Sequence, residues 1–323
     1  MEYTHVGRLG LVVSRLCLGT MNFGPHAPED ESHTIMDTAV SYGINLFDTA
    51  NVYGRHLGVG ATEGIIGRWF EKGSGRRDKV VLATKVYGQM GDWPNEGRLS
   101  KLGIIRQCEA SLERLRTDRI DLYQMHHIDR GAWWDEIWEA MDHLKRQGKI
   151  LYVGSSNFAG WHIARANEIA GYRGSLRLAT EQSVYNLNER SLELEVIPVV
   201  KEYGMGLISY SPLGGGLLAG ALEKVAEGRR SQEYMVGEIE QTRARLERWE
   251  SLCRDLGQRP ADVALAWLLH QPVVTAPIIG PRTEEQLLGS MKALDITLDD
   301  DVLSRLDQIF PGPGGPAPEA YAW

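Results

Sequence analysis

The chain has 323 residues, 43% of them hydrophobic and 24% charged, which is the composition of an ordinary globular protein able to bury a large core without disulfides or metals. A formal net charge of −8 argues against general affinity for nucleic acid or anionic membrane, so an anionic ligand would need a local basic patch. Cys17, Cys108 and Cys253 are far apart and show no zinc spacing, which suits a reducing cytoplasm. The first residues, Met1 to Gly7, carry no signal-peptide pattern, and no apolar run is long enough for a membrane helix.

Two short alternating runs around Gly7-Arg8-Leu9-Gly10 predict an N-terminal hairpin. Short apolar runs then alternate with amphipathic stretches. The strand candidates are Leu16–Leu18, Ile44–Phe47, Val80–Thr84, Ile120–Gln124, Ile150–Val153, Leu178–Glu181, Gly206–Ser209 and Val273–Ile279. Between them, helical spacing of apolar residues marks His33–Tyr42, Thr62–Phe70, Ser100–Leu115, Trp134–Gln147, Leu192–Tyr203, Asp262–His270 and Glu284–Met291. Gly148 and Gly204 are placed to stop two of these.

Repeated strand–helix units with short apolar strands are the pattern of a parallel sheet covered by helices. Eight such units in this length favour a closed (β/α)8 barrel over an open sheet, with residues 1–323 forming one barrel domain. Gly214 to about Glu240 reads as a long irregular insert after the seventh strand, and Gln241–Gly257 as an exposed charged helix. From about residue 311 a Pro/Gly-rich tail begins, ending in Tyr321 and Trp323.

A barrel of this kind carries its active site at the C-terminal ends of its strands. Read only there, the chain gives Asp48 with Tyr53 beyond it, then Lys85, then His126 and His127. Each has an ordinary reading: a turn former, a packed phenol, a solvated strand end, a satisfied core histidine. Their occurrence on consecutive strand ends puts all four types on one rim. Such a set supports proton donation by a phenol. Free tyrosine, with a pKa of about 10, is a poor acid at neutral pH, and a neighbouring lysine is expected to lower that pKa. Asp48 would hold Lys85 charged, and His126 would orient a carbonyl. None of these groups supplies a hydride, so a cofactor must.

This series resembles the catalytic tetrad of the aldo-keto reductases. The resemblance runs through Phe47-Asp48-Thr49-Ala50, Tyr53-Gly54, Thr84-Lys85, Asp121 to His126, Gly154-Ser155-Ser156-Asn157-Phe158, Tyr210-Ser211-Pro212-Leu213 and Ile279-Gly280-Pro281-Arg282 with Gln286-Leu287. It implies a (β/α)8 barrel and an NADPH-dependent reductase of an aldehyde, ketone or keto-sugar. It also implies that Tyr53, Lys85, Asp48 and His126 are catalytic. By the same resemblance Gly19, Thr20 and Met21 border the nicotinamide, Asn157 and Gln182 meet its carboxamide, and Tyr210 stacks on its ring. Ser211, Leu213, Gly216 and Leu217 would approach the pyrophosphate, Arg282 the 2′-phosphate and Gln286 the adenine, with Ser156, Pro212 and Gly280 as further cofactor-binding residues.

Several branches of the family follow Gln-Leu with Glu-Asn; here Gly289 and Ser290 stand there. Lys224, Arg229 and Arg230 in the insert are candidates for covering the pyrophosphate. Phe23, Trp93 and His127 are candidate substrate walls. Parts of the chain are similar to sugar-nucleotide reductases of deoxysugar pathways. The family also includes channel-associated subunits that bind NADPH with slow turnover, which makes a regulatory subunit the competing expectation. A metal-dependent barrel enzyme would want clustered His and carboxylate ligands, and only His126 and His127 are adjacent here.

Overall fold

The computed structural model describes residues 1–223 and 233–320. The hairpin β1 (Tyr3–His5) and β2 (Val12–Ser14) is antiparallel, with Tyr3 opposite Ser14. Eight parallel strands follow: β3 (Cys17–Gly19), β4 (Leu46–Asp48), β5 (Val81–Val86), β6 (Ile120–Met125), β7 (Ile150–Ser156), β8 (Thr180–Val184), β9 (Gly206–Tyr210) and β10 (Val274–Ile279). They close in sequence order, β10 pairing with β3 through Ile278–Cys17 and Ile279–Leu18. The fold is therefore the expected closed barrel wrapped by helices.

One apolar layer sets which end of the barrel is available. Cys17, Leu46, Ala83, Leu122, Ala179, Ile208 and Ala276 form a buried cluster with Val6 and Val13 of the hairpin region. The hairpin therefore plugs the N-terminal end of the barrel, leaving the C-terminal rim for chemistry.

The helices are α1 (Glu29–Ser41), α2 (Ala61–Glu71), α3 (Lys101–Leu115), α4 (Trp134–Arg146), α5 (Gly160–Tyr172), α6 (Val196–Tyr203), α7 (Glu233–Asp255), α8 (Pro260–His270), α9 (Glu284–Met291) and α10 (Asp300–Ile309). Two of them escape the sequence reading. The buried stripe of α5 includes the small residues Gly160, Ala166 and Ala170, which give little periodic signal. In α10 an acidic run hides a helix start: Asp299 Oδ1 caps the Val302 N–H at 2.9 Å, and Asp300 and Asp301 lie in the first turn, where carboxylates suit the helix dipole. The stretch expected to be an irregular insert to about Glu240 instead enters α7 at Glu233. That helix is not simply exposed. Leu246, Trp249, Leu252 and Cys253 sit in the core, where Trp249 meets Phe310 edge to face at 5.7 Å. Residues 311–320 form no helix or strand, and Ala317 N–H binds Leu194 O at 2.8 Å. Tyr321 and Trp323 of the tail, and Lys224, Arg229 and Arg230 of the insert, lie outside the described residues. Among the described residues no helix is long and apolar enough to cross a membrane.

Two contacts fix α2, which follows the Tyr53 loop. The sealed Glu63 carboxylate accepts from Thr84 Oγ1 at 2.6 Å and from Arg114 Nε at 2.8 Å, tying α2 to β5 and α3. Gly67 faces the end of α3 so closely that a Cβ would lie 2.1 Å from Arg114 O. Helix propensity alone favours alanine over glycine by about 1 kcal/mol. The clash is with backbone and cannot be relieved by a rotamer, so overpacking, typically costing about 1–3 kcal/mol, should win. Gly67→Ala is accordingly expected to lower the thermal midpoint, and an unchanged or raised midpoint would refute this account of the α2–α3 contact.

Candidate active site

Asp48 is the last residue of β4 and Lys85 the penultimate residue of β5, and both side chains are buried. Lys85 Nζ donates to Asp48 Oδ2 at 2.6 Å, to Thr49 O at 2.9 Å and to the Tyr53 hydroxyl oxygen at 3.2 Å. All three ammonium protons are thus used. The other carboxylate oxygen, Asp48 Oδ1, accepts from Gln182 Nε2 at 2.8 Å and from Gln124 Nε2 at 3.2 Å. His126 follows β6 directly, and its ring meets that of Tyr53 edge-on at 6.1 Å. The four residues expected to cluster do so.

The protonation pattern differs from expectation in one respect. Lys85 was expected to lower the Tyr53 pKa. Burial raises the phenol and the Asp48 charge adds to this, together outweighing the pull of Lys85, so Tyr53 stands above its ordinary value. Burial would lower Lys85, but Asp48 and Tyr53 hold its ammonium above the usual lysine range. The pair therefore rests as a charged ammonium beside a neutral phenol. Because the phenol oxygen accepts from Lys85, its own proton is not committed to that contact. Burial, Lys85 and His127 push His126 down to about 3, leaving a neutral imidazole.

The remaining candidates separate by what their side chains already do. Asn157, at a left-handed φ of 59°, donates to Ser156 Oγ at 3.0 Å and His126 O at 3.3 Å, and accepts from the Tyr210 hydroxyl at 2.8 Å. Ser211 also holds a left-handed φ, 51°. Gly19 is pressed against β10, where a Cβ would meet Ile278 at 2.4 Å. Thr20 is sealed, and its hydroxyl donates to Asp48 O at 2.9 Å. Met21 is exposed, Pro212 is buried, and Leu213 and Gly216 are partly open. Leu217 belongs to the apolar core. Gly280 is exposed, its carbonyl accepting from Asn22 Nδ2 at 2.7 Å. Gln286 Oε1 accepts from the Arg282 backbone N–H at 2.9 Å, while the Arg282 guanidinium has no partner among the described residues.

The substrate walls fare less well. Phe23 is fully buried in the core and offers a cleft no ring surface. Trp93 stands 77% exposed at the tip of a loop pinched by Arg98 N–H to Tyr87 O at 2.6 Å. His127 is exposed, stacked parallel to His126 at 5.3 Å and edge-on to Tyr87 at 5.4 Å. Gln124 is a site neighbour that the sequence reading passed over. Its signal was present: a polar residue two positions before His126 in a buried strand shares that residue's face.

With this geometry in view, the comparisons with known proteins are direct. The model of the aldo/keto reductase family matches residues 15–310. The chain belongs to that family. It is 54% identical over 328 residues to the uncharacterized oxidoreductase YrpG of Bacillus subtilis (strain 168), covering 100% of each chain. It is 33% identical to norsolorinic acid reductase stcV of Emericella nidulans, over 94% of this chain and 79% of that one. It is 30% identical to a probable voltage-gated potassium channel subunit beta of Oryza sativa subsp. japonica, over 96% of both.

The depressed His126 value fixes a sign. Below 6.5 an unfolded histidine takes up a proton that folded His126 refuses until about pH 3, so the unfolded state binds more protons in that window and stability falls as pH falls through it. Urea midpoints measured between these limits should drop toward acid, and His126→Gln should flatten that dependence. A wild-type His126 resonance titrating near pH 6.5 would overturn the assignment.

Proposed function

We propose that the protein is an NADPH-dependent reductase of aldehydes, ketones or keto-sugars with Tyr53 as proton donor. The observation that carries this is the contact of Lys85 Nζ with both Asp48 and the Tyr53 oxygen at 2.6 and 3.2 Å. A phenol that accepts from an ammonium keeps its own proton for a carbonyl oxygen, and the ammonium is in place to stabilise the phenolate left behind. Asp48 keeps Lys85 charged. Neutral His126 can donate an N–H to the same carbonyl oxygen, orienting it beside Tyr53.

The residues present fit a nicotinamide dinucleotide. Gln182 has its amide N–H2 directed to Asp48, which leaves Oε1 for a carboxamide donor. The Gly214-Gly215-Gly216 turn has φ of 55°, 67° and 112°, and a Cβ on Gly214 or Gly215 would find no atom closer than 3.6 Å, so backbone there is open to close approach by a phosphate. The Arg282 guanidinium, which has no partner among the described residues, suits a 2′-phosphate. Asn157 and Ser156 would meet the carboxamide, the Tyr210 ring the nicotinamide, and Gly19 and Met21 its border. Thr20 and Leu217, whose side chains are sealed, would contribute backbone only. Gly280 and Gln286 would flank the adenosine end. When bound, the reduced dinucleotide supplies the hydride that no side chain here can. The likeness to a potassium channel beta subunit supports a second reading, an NADPH-binding regulatory subunit, and turnover separates the two.

Tyr53→Phe should cut NADPH-dependent reduction of a test aldehyde by about 100- to 10,000-fold, the usual weight of a positioned general acid, while NADPH still quenches protein fluorescence. Near-normal turnover in that variant would sink the proton-donor assignment. Arg282→Ala should weaken NADPH far more than NADH, and equal weakening would remove the case for NADPH.

A further inference from the structure

On the rim, Asn157 at φ 59° and Ser211 at φ 51° hold left-handed backbone although neither is glycine. This conformation is unfavourable for an L-residue and persists only where surroundings over-determine it. For Asn157 those surroundings centre on Glu181, a carboxylate on β8 that is completely sealed from solvent. The proton-transfer scheme above does not use it.

We infer that Glu181 is a positioning residue for the cofactor side of the site: its carboxylate fixes the turn at Asn157 and, through the Asn157 side chain, the Tyr210 ring. The inference rests on the dinucleotide reading above.

The chain of contacts is continuous. Glu181 Oε1 accepts from the Phe158 N–H at 3.1 Å and from Ser183 Oγ at 2.6 Å, and Oε2 accepts from Ser155 Oγ at 2.5 Å. The Asn157 N–H binds Gln182 O at 3.1 Å, so both peptide groups of the turn are tied to β8. The turn sets the Asn157 amide, whose oxygen receives the Tyr210 hydroxyl at 2.8 Å. Burial pushes Glu181 up to about 7 against hydrogen bonds from Ser155, Ser183 and the turn that pull it down. An acid is thus held where desolvation opposes it, and every neighbour named is a donor. The next residue, Gln182, faces the opposite way and braces Asp48. Adjacent residues of β8 therefore support the two halves of the site, one the cofactor edge and one the ion pair.

The test is a pair of substitutions with opposite expected outcomes. In Glu181→Gln the amide oxygen can still accept from Phe158 N–H and Ser183. Its N–H2 can donate to Ser155 Oγ, whose own proton can turn to Thr180 O, 3.3 Å away. Glu181→Leu leaves the Phe158 N–H and the Ser183 hydroxyl without an acceptor. Glu181→Leu should raise the NADPH dissociation constant and KM at least about tenfold, the scale set by one or two orphaned buried donors. The aldehyde KM and kcat at saturating NADPH should stay near wild type. Glu181→Gln should restore NADPH binding.

A merely structural carboxylate would lower kcat and the melting temperature and raise both KM values together without rescue by glutamine, and that result would overturn the inference. Wild-type NADPH binding in Glu181→Leu would overturn it as well. Should Glu181→Leu not melt cooperatively, Ser155→Ala, which removes one donor to the carboxylate, should give a smaller rise in the NADPH dissociation constant at unchanged kcat, and no rise would refute the inference. Absence of NADPH binding by the wild-type protein would instead refute the dinucleotide reading itself, and the inference with it.

Discussion

The Asp48–Lys85 ion pair is the constraint on which the site depends. Two charges removed from water cost several kcal/mol each, and their attraction offsets this only when every remaining lone pair and proton is satisfied. Here they are. The ammonium spends its protons on Asp48, Thr49 O and Tyr53, and the second carboxylate oxygen takes two amide donors, Gln124 and Gln182. The pair and these partners come from four different strands or their ends, so the arrangement depends on the closed barrel. The alternation of strand side chains explains where it sits. Leu46, Ala83 and Leu122 belong to the apolar layer under the hairpin, and two residues further along the same strands stand Asp48, Lys85 and Gln124. The site is the next layer of the barrel interior, made polar.

That polar layer separates the protonation states of its three titratable neighbours. Asp48 and Tyr53 keep Lys85 an ammonium against its burial, burial beside Asp48 keeps Tyr53 a phenol, and burial beside Lys85 keeps His126 an imidazole. A set of groups whose environments drive them to distinct states is what acid–base chemistry at one pH requires. A phenol acidified below the working pH would already have lost the proton that a reduction consumes. The raised Tyr53 value is therefore compatible with donation, provided the ammonium stabilises the phenolate once it forms.

Much of this was legible in the sequence because strand ends are local. A short apolar run stopped by Asp48, another by Lys85 and a third by His126 place these residues on one rim as soon as the strands are taken as parallel. What was not legible depends on depth and direction. Phe23 was a candidate substrate wall, yet the turn that brings it into register with Ala27 places its ring in the core. The direction of the Tyr53 shift required knowing how completely the pocket sheds water. Gln124 and Glu181 were both visible as polar residues in apolar strands, but only the closed sheet tells which faces Asp48 and which faces the turn at Asn157. The small-residue stripe of α5 and the acidic start of α10 hid two helices for the converse reason: packing and capping, rather than periodicity, specify them.

Where binding discrimination can reside follows from which side chains are already spent. The Thr20 hydroxyl proton is used on Asp48 O, the Gln182 amide nitrogen on Asp48, and Gln286 Oε1 on the Arg282 backbone, while the Ser156 oxygen accepts from Asn157. Where the proposed reading puts the adenine, Ser290 Oγ donates to Gln286 O at 2.9 Å and Gly289 O accepts from Arg259 at 2.9 Å, so neither offers an acid or an amide side chain. On the proposed reading, the adenine is held by shape and backbone, and the 2′-phosphate by a single guanidinium. The nicotinamide end is the reverse. There Asn157, Gln182 and Tyr210 are locked by hydrogen bonds that run back to β8 and to the ion pair. Preorganised groups lose little freedom when a ligand arrives, so this half should dominate recognition of the ring that carries the hydride. The ion pair, having fixed Tyr53, also fixes Gln182, and on the proposed reading it so places the carbonyl and carboxamide sites relative to one another.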